Sequence, residues 1–202
     1  MSFRELKSIL EKELVISAKD ASTVLGDRKR VYALQDKGDL KRCGTGLYTL
    51  PGIEEGTAQF AALNKYFPKC VVSGVTALSL CGLGQEYLDK IHVDIPNTTN
   101  LSNSLLEVHR VTAKRISHVE NRKFEEKGIP FKIKVYSPER TLFEAYKYYG
   151  VGTDAFIRAI KNYRNLYLNK KSPGKQYDVI LSIDKEVGRE LVNFLSMGDI
   201  NG

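Results

Sequence analysis

A cluster of side chains that can contact nucleic acid lies between residues 28 and 35. Three consecutive basic residues, Arg28, Lys29 and Arg30, are followed by Tyr32 and Gln35. Arginine can form paired hydrogen bonds with guanine or with a phosphate, glutamine can pair with adenine, and a tyrosine hydroxyl can bind phosphate. On a helix, Arg28, Tyr32 and Gln35 share one face, and Lys29 borders it. These residue types predict a surface that binds DNA.

Two short helices are expected to hold this cluster in place. Ser17 is a candidate N-cap for a helix that stops at Gly26, and Asp27 is a candidate N-cap for the basic helix, which stops at Gly38. Two short helices around a glycine-containing turn are typical of a helix-turn-helix, whose second helix enters the major groove of DNA. We include Ser17 and Lys19, at the start of the first of these helices, among the candidate DNA-binding residues.

A basic hairpin is expected to follow the second of these helices. The sequence changes to alternation over residues 40–50, and Gly44 and Gly46 permit positive φ angles in the connecting turn. Three side chains of this hairpin can donate to DNA, as a wing beside a recognition helix requires: Lys41, Arg42 and Thr45. An apolar stripe over residues 3–14 predicts one further helix before the pair. We therefore expect a winged helix-turn-helix DNA-binding domain over residues 1–54.

The composition is that of a folded protein with an excess of positive charge. Its 202 residues are 42% hydrophobic and 27% charged, and the formal net charge is +7. Hydrophobic residues are too frequent for a disordered chain, and a basic protein suits an anionic partner. Six basic residues and two acidic ones lie between residues 28 and 46, so the excess is concentrated in the predicted helix and hairpin.

Three features indicate where the protein is expected to work. The first twenty residues carry charges among their apolar positions and lack the pattern of a signal peptide. The longest apolar run, residues 71–83, is too short to cross a bilayer. Cys43, Cys70 and Cys81 show no metal-type spacing and are expected to be reduced thiols. We therefore expect a cytoplasmic protein with no membrane partner.

Residues 55–202 are expected to form a second domain of mixed α/β structure with a small sheet. Apolar spacing predicts helices over residues 57–67, 73–81 and 154–169 and a helix that begins at Ser137, and alternation predicts strands over residues 90–95, 106–111 and 131–136. Arg140 lies in the first turn of the helix at Ser137 and is expected to form a structural ion pair. The fold class is therefore α+β, an N-terminal winged helix-turn-helix followed by this α/β domain.

A metal-dependent nuclease is the main catalytic alternative. Asp94 and Glu107 could hold a divalent ion, with Lys114 or Lys132 supporting the attacking water. The acid, variable residue, lysine triplet of such nucleases is missing, and although His92 shares a strand face with Asp94, two potential ligands do not make a metal site. The sequence also lacks a catalytic serine or cysteine arrangement and a phosphate-binding glycine loop. We expect no enzymatic activity, no catalytic residue, no metal and no cofactor.

A protein-interaction module is the other alternative, because a basic helix can also be an ordinary solvated face. In that case the affinity for DNA would be weak and insensitive to Arg28 or Lys29. The ordered set of capped helix, basic helix and two-glycine basic hairpin favours DNA binding over this alternative.

Several short motifs resemble, in their order along the chain, the AbiEi-type antitoxins. They are residues 17–20 (SAKD), 37–40 (KGDL), 44–48 (GTGLY), 72–78 (VSGVTAL), 92–96 (HVDIP) and 137–142 (SPERTL). The resemblance spans most of the chain. AbiEi-type antitoxins are transcriptional regulators from bacterial type IV toxin-antitoxin and phage abortive-infection operons.

The resemblance implies both a function and a set of partners. It implies a repressor that binds inverted repeats of double-stranded DNA in the promoter of its own operon. It further implies a nucleotidyltransferase-like toxin as the functional partner, which the C-terminal domain would neutralise with or without a stable complex.

Overall fold

The structure is a mixture of helices and short strands. The computed structural model describes residues 2–85, 89–168 and 171–197. Its helices are α1 (Phe3–Glu13), α2 (Ala18–Leu25), α3 (Arg28–Asp36), α4 (Glu55–Tyr66), α5 (Gly74–Leu80), α6 (Pro138–Tyr149), α7 (Asp154–Leu166), α8 (Gly174–Ile183) and α9 (Lys185–Ser196). Its strands are β1 (Ile16–Ser17), β2 (Lys41–Gly44), β3 (Leu47–Thr49), β4 (Val71–Val72), β5 (Ile91–Pro96), β6 (Leu106–Val111), β7 (Val119–Glu126) and β8 (Ile129–Tyr136). The α+β class is confirmed, with small sheets.

Two compact units divide the chain, and neither is continuous in sequence. The first unit consists of Met1–Cys70, Ser102–Leu105 and Asn121–Lys134. The second unit consists of Val71–Leu101, Leu106–Glu120 and Val135–Gly202. The expected division between residues 54 and 55 stays a prediction. The compact units follow a different division, because α4 and most of the β7–β8 hairpin belong to the first unit.

Three helices and a small sheet form the N-terminal part of the first unit. The sheet is antiparallel with the strand order β1-β3-β2, and its register pairs Ile16 with Tyr48 and Lys41 with Thr49. The helices and the sheet enclose one apolar core: Leu6, Leu10, Ile16, Ala21, Leu25, Val31, Leu40 and Tyr48. Complete burial of a large apolar side chain stabilises a fold by about 1.5 to 3 kcal/mol, so this core is enough to hold the short helices in place.

Local capping explains where α2 and α3 begin and end. The Ser17 hydroxyl accepts a hydrogen bond from the backbone N–H of Asp20, and the Asp27 carboxylate accepts one from Lys29 N at 2.9 Å. Between the two helices, Gly26 has a φ of 78°, which a residue with a side chain rarely adopts. The two helices are therefore joined by a tight turn, as their capping residues predict.

The β7–β8 hairpin packs its aromatic residues on α4 within the first unit. Phe124 stacks on Phe60 of α4 at 5.6 Å between ring centroids and on Phe131 at 5.5 Å. The strands are joined by Lys127 and Gly128, both with positive φ, as a two-residue hairpin turn requires. Strand β7 is additional to the expected elements, because its sequence is mostly polar on both faces and shows no apolar alternation.

The sheet of the second unit is formed by β6, β5, β4 and the last two residues of β8. Strands β5 and β6 are parallel and pair from Ile91↔Leu106 to Pro96↔Val111, while β4 is antiparallel to β5. The predicted strands over residues 90–95, 106–111 and 131–136 lie within one or two residues of β5, β6 and β8. Strand β4 is additional, because two residues are too few to show a period.

Five helices, α5 to α9, form the main core of the second unit. The largest completely buried side chains in this core are Tyr163, Phe156, Leu78, Leu83 and Leu142. The expected helix over residues 154–169 ends at Leu166 in the structure, and its last predicted residue, Asn169, lies outside the described residues. Helices α8 and α9 are additional to the expected elements. Within the described residues, no helix combines the length and the apolar character that crossing a membrane would require.

Candidate nucleic-acid interface

The N-terminal end of α3 presents its basic residues to solvent. Arg28, Lys29 and Arg30 are all exposed, and the Asp27 cap fixes the first turn on which they lie. The Arg28 guanidinium lies over the ring of Tyr32 at 5.6 Å from its centroid, and Tyr32 is 43% exposed. Arg28 and Tyr32 therefore share one face of α3, as their spacing predicts, and the aromatic ring orients the guanidinium.

Two other candidate residues of α3 are less exposed or already bonded. The Arg30 guanidinium donates a hydrogen bond to the carbonyl of Leu25 at 2.8 Å, which connects α3 to the last turn of α2. Guanidinium carries five N–H groups, so Arg30 keeps donors for a second partner. Gln35 is half-buried and lies one turn beyond Tyr32. These contacts make Arg30 a residue that fixes the turn between the helices.

A polar network surrounds the N-terminal end of α2. The Ser17 hydroxyl donates to the Asp20 carboxylate at 2.8 Å, and the Tyr66 hydroxyl donates to the same carboxylate at 3.0 Å. The hydrogen bond from Ser17 holds the pKa of Asp20 below its ordinary value, while partial burial opposes that shift. Ser17, a predicted DNA contact, is thus occupied as a helix cap. Tyr66 was not anticipated, because it lies 46 residues from Asp20 and no local pattern links them.

An open depression lies along α2 and the turn into α3. It has a volume of about 680 Å³ and is lined by Ala18, Lys19, Ser22, Thr23, Gly26, Asp27 and Arg28. Its two cationic side chains, Lys19 and Arg28, come from the starts of the two helices. Because the Asp27 carboxylate that caps α3 also lines the depression, its suitability for a phosphate group rests on these two cations.

The three candidate residues of the β2–β3 hairpin all have partners within the first unit. Lys41 forms an ion pair with Glu55 at 3.3 Å, and Arg42 donates through Nε to the carbonyl of Gly44 at 3.0 Å. The hydroxyls of Thr45 and Ser104 are hydrogen-bonded to each other. Ser104 could not be anticipated because it is 59 residues from Thr45. The hairpin tip is therefore tied to residues 102–105 rather than free in solvent.

The ion pairs of the first unit separate the candidate cations into two groups. Within the described residues, Lys19, Arg28 and Lys29 form no ion pair, whereas Lys41 pairs with an exposed carboxylate. An exposed pair of this kind contributes little, about 0 to 1 kcal/mol, so Lys41 can exchange its carboxylate for a phosphate at small cost. Among the candidate residues, the cations without an ion pair therefore lie at the starts of α2 and α3.

The second unit contains a buried polar network around Arg140. Arg140 donates to Glu144 at 2.8 Å and lies over the ring of Tyr136 at 4.5 Å, and Tyr136 donates to Asp94 at 2.7 Å. The Gly74 N–H donates to the other oxygen of Glu144. Burial raises the pKa of Glu144, and the charge of Arg140 opposes that shift. The structure thus shows the ion pair expected for Arg140.

The residues considered for a nuclease are used in other ways. Asp94 is buried and accepts the Tyr136 hydroxyl, and Glu107 pairs with Lys90 at 3.3 Å. Among the residues described, no three His, Cys, Asp or Glu side chains are grouped so that they could hold a metal ion. The geometry gives no support to a carboxylate-bound divalent ion at Asp94 and Glu107.

Comparison with known proteins adds no relative. No model of a known protein family matches the chain, and no curated protein is similar to it in sequence. The resemblance to AbiEi-type antitoxins therefore stays a prediction.

Proposed function

We propose that this protein is a sequence-specific DNA-binding transcriptional repressor and that its first unit contains a winged helix-turn-helix. The observation that carries the proposal is the exposed start of α3, where Arg28 lies over Tyr32 and Lys29 follows it without an acidic partner among the described residues. Arginine and lysine at the N-terminal turns of such a helix can reach base edges and phosphates in the major groove.

The order of elements supports this proposal. Helix α1, strand β1, helices α2 and α3 and strands β2 and β3 follow one another as in a winged helix, with a short turn through Gly26 and Asp27 between α2 and α3. In this arrangement α3 is the recognition helix and the β2–β3 hairpin is the wing. Arg30 contributes by fixing the angle between α2 and α3 through its bond to Leu25.

The candidate contacts divide by their expected roles. Arg28, Tyr32 and Gln35 on α3 are the candidates for reading bases, with Lys29 beside them. Lys19, with the depression beside it, and Lys41 and Arg42 of the hairpin are candidates for phosphate contacts, which position the protein without reading sequence. Ser17 and Thr45 support α2 and the hairpin tip through their own hydrogen bonds.

The biological role that we propose rests on the resemblance to AbiEi-type antitoxins. The protein would repress its own operon in the cytoplasm by binding inverted repeats in the promoter. It would also act as the antitoxin against a nucleotidyltransferase-like toxin in phage defence. We assign it no catalytic residue.

A salt-titrated mobility shift tests the DNA-binding proposal. Wild type is compared with Arg28→Ala/Lys29→Ala on the region upstream of its own gene and on random duplex. The matched control is Lys185→Ala/Arg189→Ala, which removes the same two charges from exposed positions of α9. We expect about a hundredfold or greater preference for the upstream region. That preference should collapse in the α3 variant and persist in the control.

Two other results would redirect the assignment. Equal and weak binding to both duplexes, unchanged by the α3 substitutions, would leave a protein-interaction module. Magnesium-dependent cleavage of DNA that Asp94→Ala abolishes would make the protein a nuclease.

A further inference from the structure

Two histidines and a tyrosine converge at the edge of the polar network in the second unit. His92 on β5 and His109 on β6 bring Nδ1 and Nε2, respectively, to 3.2 Å from each other. The hydroxyl of Tyr148, from α6, lies 3.3 Å from the same Nε2 of His109. The three side chains come from three different elements and are separated by 17 and 39 residues in sequence. All three are partly exposed.

The parallel register of β5 and β6 explains how the two imidazoles meet. Glu107 is the register partner of His92, and His109 is the register partner of Asp94. Residues two apart on a strand share a face, so both histidines project from the same side of the sheet as these two carboxylates. This side of the sheet therefore combines two nitrogen ligands with nearby negative charge.

The backbone at Gly74 packs closely against the cluster. A Cβ atom at this position would lie 3.1 Å from Nδ1 of His92 and 3.3 Å from the Tyr148 hydroxyl. Both distances are shorter than almost all real contacts of a Cβ atom, and the φ of Gly74 is +51°. Any side chain at this position would therefore crowd the imidazole of His92 and the hydroxyl of Tyr148. Glycine at residue 74 lets the backbone pass close to these two polar atoms without displacing them.

We propose that His92 Nδ1, His109 Nε2 and the Tyr148 hydroxyl bind one divalent transition-metal ion of the Zn²⁺ type. Two nitrogens that bind one tetrahedral ion at 2.0–2.1 Å lie about 3.3 Å apart. The separations of His109 Nε2 from His92 Nδ1 and from the Tyr148 hydroxyl, 3.2 Å and 3.3 Å, match that edge length. Partial exposure leaves the fourth position to water. This site is compatible with the absence, noted above, of any group of three His, Cys, Asp or Glu side chains among the described residues, because its third ligand is a tyrosine.

The donor set selects the class of ion. Imidazole nitrogen suits Zn²⁺, Cu²⁺ and Ni²⁺, whereas Mg²⁺ and Ca²⁺ prefer oxygen ligands. The carboxylates of Asp94 and Glu107 favour a cation over an anion at this place. Two lysines place positive charge nearby, which disfavours a cation. Lys147 lies over the Tyr148 ring at 4.9 Å, and Lys90 pairs with Glu107. Two imidazole nitrogens with carboxylate neighbours remain the better match to a cation.

Binding of the ion requires a defined placement of hydrogens. Without an ion, one imidazole N–H donates to the lone pair of the other ring. To bind the ion, both facing nitrogens must present lone pairs, so the hydrogens lie on Nε2 of His92 and Nδ1 of His109. The phenol of Tyr148 binds through its hydroxyl oxygen.

Titration of the purified full chain, without a histidine tag, with Zn²⁺ and with Co²⁺ tests this site. The chain has three histidines, and His118 is the matched control because its ring nitrogens contact only the hydroxyls of Ser117 and Ser182 in the described structure. We expect one equivalent of Zn²⁺ by calorimetry and tetrahedral absorption bands with Co²⁺. His92→Gln and His109→Gln should each weaken binding about tenfold or more, whereas His118→Gln should leave it unchanged.

A measurement of thermal stability distinguishes loss of the metal site from misfolding of a variant. Zn²⁺ should raise the Tm of wild type and of His118→Gln, and the rise should saturate at one equivalent. Tyr148→Phe keeps the ring and removes only the oxygen, so it should fold normally and bind more weakly. No binding to wild type would overturn the proposal. Equal loss in His118→Gln, or wild-type binding in both His92→Gln and Tyr148→Phe, would also overturn it.

Discussion

Replacement of Arg140 by methionine should strongly destabilise the second unit, by an amount that depends on pH. The side chain of Arg140 is 15% exposed and that of Glu144 is 6% exposed, so the pair is largely shielded from water. Methionine keeps much of the arginine volume and removes the charge. The carboxylate of Glu144 then remains buried, and among the described residues its hydrogen-bond donor is the Gly74 N–H.

The expected loss follows from the energetics of buried ion pairs. Removal of one partner of a buried pair typically costs about 3 to 5 kcal/mol, because the other charge is left uncompensated. For a chain of this size, that corresponds to a decrease in Tm of roughly 6 to 20 °C. Loss of the contact with the Tyr136 ring contributes about 0.5 to 2 kcal/mol of the total.

The pH dependence identifies the buried charge as the cause. Burial raises the pKa of Glu144 in the folded protein above its unfolded value, so its contribution to stability is fully present below the unfolded pKa and is lost as pH rises through the folded pKa. Without Arg140, which lowers that pKa, the loss at neutral pH becomes larger. The difference between Arg140→Met and wild type should therefore be greatest near pH 7 and shrink towards about pH 4.5.

Urea denaturation at a series of pH values between 4.5 and 7.5 measures this difference. Arg189→Met, on the exposed face of α9, is the control and should change the free energy of unfolding by less than about 0.5 kcal/mol. Arg140→Met/Glu144→Gln should recover part of the loss, because glutamine still offers an oxygen to the Gly74 N–H. A loss that is the same at every pH, or no recovery in the double variant, would refute the reasoning.

Three further predictions concern single residues. In denaturation curves, Asp27→Ala should lower the free energy of unfolding by about 1 kcal/mol, because it removes the cap of α3. Asp27→Asn should lower it by much less, because asparagine can still cap the helix. Gly188→Ala should destabilise the protein by roughly 1 to 3 kcal/mol, since the new Cβ would lie 2.9 Å from the Ile180 carbonyl oxygen, whereas the matched change Gly174→Ala meets no atom and should be tolerated. Cys43 and Cys70 should react with a thiol reagent at pH 8 only after denaturation, because burial raises the pKa of both thiols to about 11. Fast labelling of the folded chain would contradict that expectation.

Local signals in the sequence predict the turn that carries the candidate interface. Ser17, Gly26 and Asp27 act within three residues of their own positions, so their types alone indicate where α2 and α3 begin and end. The shared face of Arg28 and Tyr32 follows from helical spacing in the same way. An ion pair for Arg140 could be expected because a charge in the first turn of a buried helix needs a partner.

Contacts between distant residues could not be predicted. The hydrogen bond between Thr45 and Ser104, and the contacts of His109 with His92 and Tyr148, depend on how elements from different parts of the chain pack together. Strand β7 was not predicted because polar residues occupy both of its faces. In each case the cause is tertiary structure, which composition and spacing do not record.

The discontinuous division of the chain affects how the protein can fold during its synthesis. The first unit contains the first 70 residues, but its last segment ends at Lys134. The contacts that this segment makes, such as the stacking of Phe124 on Phe60, cannot form until it has left the ribosome, several seconds after the N-terminal helices at ordinary translation rates. A gene fragment that ends after the basic hairpin therefore encodes only part of a compact unit. A continuous fragment that contains the whole first unit must run to Lys134, and it then also carries residues 71–101 and 106–120 of the second unit.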